Sequence, residues 1–163
     1  GSTYEETSQK KALTYAKLSG ISAIADDGGL EIAALDGEPG VHSQRWLGYA
    51  ATDDELAAHL ATIAAKLPKD NRDASFRVVL TLATPDGKMW SVEGAVDGII
   101  AKEPLGVPAP GLPFRTFFYI PEIGKYYHEH DLPPKEMEHY NHRYKAAMKL
   151  KSIIKKEIFD SNK

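Results

Sequence analysis

The sequence predicts an α/β protein built on a mixed sheet, and two observations carry that expectation. Helical patterns occupy both ends of the chain and one interior stretch, and between them lie apolar runs punctuated by Gly, Pro and Asp. One pair of runs is joined by "PDG" at residues 85–87, a hairpin signal that argues against a purely parallel sheet. At 163 residues the chain suits one domain, 1–163, with a sizeable core.

The first helix is expected from Thr3 to Ser19. Thr3 and Glu6 fit a capping box, Ala12, Tyr15, Ala16 and Leu18 supply apolar positions, and Gly20 suits the stop. Residues 21–26 (ISAIAD) and 30–35 (LEIAAL) read as two short, largely buried strands. The "DGEPG" stretch, 36–40, is a loop, and Thr52 with Glu55 opens a second helix to about Lys66. Residues 74–83 (ASFRVVLTLA) form a strand, with a hairpin partner over 89–100. Four prolines and two glycines stiffen 102–113 into a loop, and 114–120 (FRTFFYI) reads as a strand. From Pro133 to about Phe159 the pattern is helical, with a break near Asn141, a favourable N-cap.

Composition excludes several classes. A formal net charge of −3 leaves no basic footprint for duplex nucleic acid. The chain has no cysteine, which removes disulfides, thiolate metal sites and a cysteine nucleophile, and fits a reducing cytoplasm. No apolar run approaches the roughly 20 residues of a membrane span, and no signal-peptide pattern is present. The leading Gly1-Ser2 reads as the remnant of an expression tag.

The chemistry concentrates in "IADDGGLEIAAL", residues 24–35. Asp26 and Asp27 before Gly28-Gly29 suit a turn between strands, and equally suit a metal or phosphate site at a strand end. The two glycines let a backbone approach a ligand closely. Glu6 is open to both readings as well, a capping residue or a carboxylate ligand. His128 and His130 flank Glu129, a spacing that by itself reads as surface rather than metal-binding.

Several stretches, in this order, resemble the inosine triphosphate pyrophosphatase family, the non-canonical purine NTP (XTP/dITP) pyrophosphatases. They are "TYEETSQKKA" (3–12), "ADDGGLE" (25–31), "GEPGVHSQR" (37–45), "EGAVDGIIAKEPLG" (93–106), "FFYIPEIGKYYHE" (117–129) and "NHR" (141–143). The resemblance covers nearly the whole chain. It implies an elongated, two-lobed α/β fold with a long twisted mixed sheet flanked by helices and an active site in the central cleft. It also implies Mg²⁺-dependent hydrolysis of nucleoside triphosphates to monophosphate and pyrophosphate, often by a homodimer. By the match, Asp27 is a metal ligand and general base, Glu6 a metal ligand, and Asp26 a second-sphere or second-metal carboxylate. Lys11 lies near the phosphates, Gly28 replaces a family serine, and Ser43 and Arg45 are expected to reach substrate, with a structural ion pair as the alternative for Arg45. His142 and Arg143 are implied to recognise a 6-oxo purine.

The chain departs from the family in one loop and one helix. The family's G-F-G-Y-D-P reads "GLPFRT" here, 111–116, which keeps an aromatic as Phe114 and puts Arg115 where a carboxylate stands. The family's E-K-N-x-x-S-H-R reads "EMEHYNHR", so Met137 replaces a substrate-binding lysine and Asn141 a serine. Phe114 is expected to stack on the base and Arg115 to help read it. An acceptor has become a cationic donor and a cation an apolar thioether, so base recognition is expected to be altered. The family pattern also begins with a strand and phosphate loop ahead of the stretch at Thr3, and the chain reads as truncated relative to it. The rival reading is a non-catalytic nucleotide-binding or oligomer-forming remnant of the fold. A third is hydrolysis of another pyrophosphate-containing nucleotide.

Overall fold

A computed structural model describes residues 1–160. The secondary structure runs α1 (Tyr4–Ser19), β1 (Ala23–Ile32), α2 (Asp53–Lys66), β2 (Asp73–Ala83), β3 (Met89–Ile100), β4 (Phe118–Ile120), β5 (Lys125–Tyr126), α3 (Pro134–Tyr140) and α4 (His142–Ile154). The strands form one five-stranded antiparallel sheet in the order β1-β2-β3-β4-β5, flanked by helices, so the expected α/β architecture is present.

Local chemistry accounts for the clearest elements. The Thr3 hydroxyl accepts the Glu6 amide, and Gly20 ends α1 in the left-handed region (φ 71°) while its N–H reaches the Ala16 carbonyl. The reciprocal half of this capping box is missing, because Glu6 turns its carboxylate to Ser2 instead. At α2 the box is complete: Thr52 accepts the Glu55 amide, and Glu55 accepts the Thr52 amide. The turn between β2 and β3 is closed by Gly87 (φ 94°), whose N–H reaches the Thr84 carbonyl.

Two expected boundaries are corrected, and one is met. Residues 21–26 and 30–35 are not two strands about a turn. β1 passes unbroken through Asp26, Asp27, Gly28 and Gly29, neither glycine has a positive φ, and 33–35 is a short 3₁₀ turn. The glycines serve close approach instead. A Cβ on Gly28 would collide with the Arg77 carbonyl and Val78, and one on Gly29 with the Gly40 carbonyl and the Ser43 hydroxyl. The run 114–120 is a strand only over Phe118–Ile120, because Arg115–Phe117 forms a 3₁₀ turn. The helical C-terminal stretch breaks at Asn141, whose Oδ1 accepts the Arg143 and Tyr144 amides at 3.0 and 3.1 Å and caps α4.

Cα packing divides the chain into two units, with β1, β2 and β3 each contributing to both. The first comprises Gly1–Gly28, Arg77–Ala95 and the chain from Asn141. In it α1 lies on the sheet through Ala12, Ala16 and Ala83, and α4 covers the other face at Gly94, where a Cβ would strike the His142 carbonyl. The second comprises Gly29–Phe76 and Val96–Tyr140. Its core joins Leu30, Leu56, Leu60, Ile100 and Leu132 to a tilted aromatic cluster of Phe76, Phe118 and Tyr127. Arg72 ties that unit together: its guanidinium donates to the Ala64 and Leu67 carbonyls at the end of α2 and to the Ile100 carbonyl of β3.

Candidate active site

In the first unit the chemistry is built on strand alternation. Successive side chains of a strand point to opposite faces, so Asp26 faces α4 and Asp27 faces α1. Each finds one cation there. Lys11 of α1 donates from Nζ to Asp27 Oδ1 at 2.9 Å and to the Asp26 backbone carbonyl at 3.1 Å. Arg143, in the first turn of α4, pairs with Asp26 Oδ2. The Asp27 side chain is 18% exposed and that of Lys11 47%, so the pair lies at the surface with its acid largely covered.

The Asp26 carboxylate pairs with Arg143 on the face away from Lys11. The Asp26 backbone oxygen, not its side chain, shares a cation with Asp27. Glu6 accepts from the Ser2 amide and hydroxyl, both at 2.8 Å, and the hydroxyl first and the amide second hold its carboxyl below the usual glutamate range. Among the described residues no three His, Asp or Glu groups gather closely enough to hold a metal. The trio Glu6, Asp26 and Asp27 is therefore not preassembled.

His142 is 5% exposed, and Asn141 uses its side-chain oxygen to cap α4. Gly28 has no room for a side chain, which accounts for glycine where the family carries serine.

In the second unit Ser43 is buried. Its hydroxyl donates to the Gly40 carbonyl (2.7 Å) and accepts the Leu30 amide (3.0 Å), pinning the 37–45 loop to β1. It has no face toward a substrate. Arg45 is exposed and forms no ion pair among the described residues. Phe114 is 4% exposed and packs edge-on against Trp46, whose ring also meets His59. A ring that covered has no face left for a base, so Phe114 is a core residue.

Arg115 and Met137, by contrast, come together. Both line a cavity of about 230 Å³ with Ala109, Leu112, His128 and Glu129. Arg115 is 9% exposed, and its guanidinium lies 4.1 Å from the centre of the Tyr127 ring. His128 is not a surface residue: it is 2% exposed, its Nδ1 accepts the His130 amide, and its Nε2 therefore carries the proton toward the Val107 carbonyl at 3.2 Å. His128, Glu129 and Trp46 were not singled out by sequence for this region. Their only signal lay in the H-E-H alternation and in one of the two tryptophans.

Comparison with known proteins agrees with the resemblance read from the motifs. The Ham1 family pattern matches residues 1–153, and the chain belongs to that family. It is 42% identical over 155 residues to a dITP/XTP pyrophosphatase of Thermus thermophilus, spanning 95% of this chain and 72% of that protein. A dITP/XTP pyrophosphatase of Desulforamulus reducens is 37% identical over 94% of this chain and 75% of its own length. Among solved structures, the Staphylococcus aureus Ham1 protein aligns with a TM-score of 0.83 at 30% identity, covering 96% of this chain and 79% of that one. No helix among the described residues is long and apolar enough to cross a membrane.

Proposed function

We propose that this chain hydrolyses non-canonical purine nucleoside triphosphates, dITP and XTP among them, to the monophosphate and pyrophosphate, with Mg²⁺. The observation that carries the reading is Asp27, a largely covered carboxylate held against a lysine in a Ham1 chain. The likeness to dITP/XTP pyrophosphatases supports the reaction class.

The donor chemistry fits the ion. Mg²⁺ is held by one or two carboxylates and keeps waters and substrate phosphates for its other positions. Asp27 Oδ1 and the Asp26 carbonyl are hard oxygens already sharing a positive charge, that of Lys11. Asp27, with Glu6 as second carboxylate, would hold the metal, which supplies charge neutralisation for the triphosphate. Asp27 takes the proton from the attacking water as the water oxygen bonds to the α-phosphorus. The bond from that phosphorus to the bridging oxygen breaks, and pyrophosphate leaves. Lys11 meets the negative charge of the phosphates, and Arg143 is held in place by Asp26.

A role for Arg115 and Met137 in reading the base rests on the family resemblance, and both line one cavity of the second unit. A guanidinium only donates, so it favours a ring presenting oxo groups, and the thioether adds an apolar contact. A homodimer and a cytoplasmic setting complete the reading and rest on the family resemblance.

Pyrophosphate release from ITP, XTP, dITP and the standard NTPs, with and without Mg²⁺, tests the proposal. Asp27→Asn lowers kcat by about a thousandfold, the scale of a lost general base, with an unchanged thermal melt. Binding without turnover on every substrate would establish the non-catalytic alternative.

A further inference from the structure

We infer that Lys11 is a place-holder. In the metal-free protein its ammonium occupies the cation position on Asp27 and the Asp26 carbonyl, and it leaves that position when the divalent ion arrives. The inference rests on the proposed function and adds to it a regulation of the same site by the chain's own lysine.

Three observations carry it. Lys11 Nζ touches two oxygens of the type that hard divalent ions prefer, a carboxylate and a backbone carbonyl, at 2.9 and 3.1 Å. Neither is a phosphate-like partner, so the lysine here does the work of a small cation. The Asp26 carboxylate, which would otherwise add negative charge at the same spot, points to the opposite face and is neutralised by Arg143. The cation position thus holds one carboxylate charge and one ammonium. Lastly, Lys11 is nearly half exposed on a flexible four-carbon stem, so its hold on Asp27 is a weak surface pair that a divalent ion can displace. Displacement swings the ammonium off Asp27 and frees it for substrate phosphate. The exchange keeps Asp27 paired when the site is empty and makes the lysine available only once the ion is seated.

Two cations competing for one carboxylate are coupled, and removing one strengthens the other. The experiment is Mn²⁺ binding to the purified chain without nucleotide, read from the electron paramagnetic resonance signal of free Mn²⁺. Lys11→Met is expected to bind Mn²⁺ about tenfold tighter than the unsubstituted chain, within the usual range of such couplings. Lys11→Arg, which keeps the charge, binds no tighter, and Asp27→Asn loses binding. A merely structural lysine would not raise metal affinity when removed. Equal or weaker Mn²⁺ binding by Lys11→Met overturns the inference while leaving Mg²⁺-dependent pyrophosphate release, and so the proposed function, standing. Loss of both metal binding and turnover in the unsubstituted chain overturns the two together. A second measurement needs no variant: the Lys11 Nζ resonance in ¹⁵N-labelled protein is expected to lose its protection from exchange on addition of Mg²⁺. A resonance that Mg²⁺ leaves unchanged overturns the displacement.

Discussion

The two units hold themselves together by different means. The second buries large rings: Phe76, Phe118 and Tyr127 lie within 6 Å of one another between centroids, over a floor of leucines and isoleucines. The first brings α1 onto its sheet through alanines and a chain of hydroxyls. In that chain Ser8 donates to the Glu5 carbonyl, so Thr81 donates to Ser8 and Ser91 to Thr81, with Gln9 donating to Ser91. Small residues let the helix approach closely, and that approach sets Lys11 against Asp27. Large apolar groups are left at its surface, among them Tyr15, Leu18, Ile21 and Ile24. The comparison teaches where stability and chemistry reside: bulk burial in one unit, aimed polar groups in the other.

The largest stability effect is expected where burial is greatest. Phe118→Ala, at a fully buried ring touching two others, should cost about 3–5 kcal/mol. Urea unfolding measures it. A cost near that of an exposed position would remove the contrast between the units.

What the sequence made legible divides along the same line. Local signals were enough for α1, α2, the β2–β3 hairpin and the break at Asn141, because caps, Gly stops and turn residues act within a few positions. β1 was misread as two strands because Asp and Gly are local punctuation, whereas here the glycines answer to Arg77, Gly40 and Ser43, which are distant in sequence. The site shows the same limit. Motif resemblance singled out Lys11, Asp26, Asp27 and Arg143, but the pairing of each acid with a cation from a different helix depends on strand alternation. Reading 24–35 as two strands about a turn hid it. Phe114 matched a motif position and still went to the core, since a local pattern does not state which face a ring presents.

A smaller effect sharpens the polar side of the comparison. Thr81→Val keeps the shape and removes the central hydroxyl, leaving the buried Ser8 and the half-buried Ser91 each without that partner. A loss of about 1–3 kcal/mol is expected. Hydrogen exchange should show it concentrated in α1 and β3 of the first unit, with the amides of β4 and β5 little changed. Equal loss of protection in all four would mean that the hydroxyl chain does not act locally.

The smallest effect compares the two helix starts, which share a sequence pattern and differ in structure. Thr52 and Glu55 close a full box on α2, whereas Thr3 on α1 receives the Glu6 amide while Glu6 bonds Ser2. Thr52→Ala should therefore cost about 1 kcal/mol, and Thr3→Ala less. The acid limb adds a test by sign. The Glu55 carboxyl is held below the usual glutamate range by the Thr52 amide first, then by the Thr52 and Tyr49 hydroxyls. Its folded pKa is thus lower than its unfolded one. The stability it contributes is fully present above the ordinary carboxylate range and is lost as pH falls through the lowered folded value. Glu55→Gln should flatten stability against pH across that acid window and leave the slope near neutrality unchanged. If Thr3→Ala proves as costly as Thr52→Ala, and Glu55→Gln leaves the acid limb intact, the reciprocal bond at α2 contributes nothing that the half-box at α1 lacks.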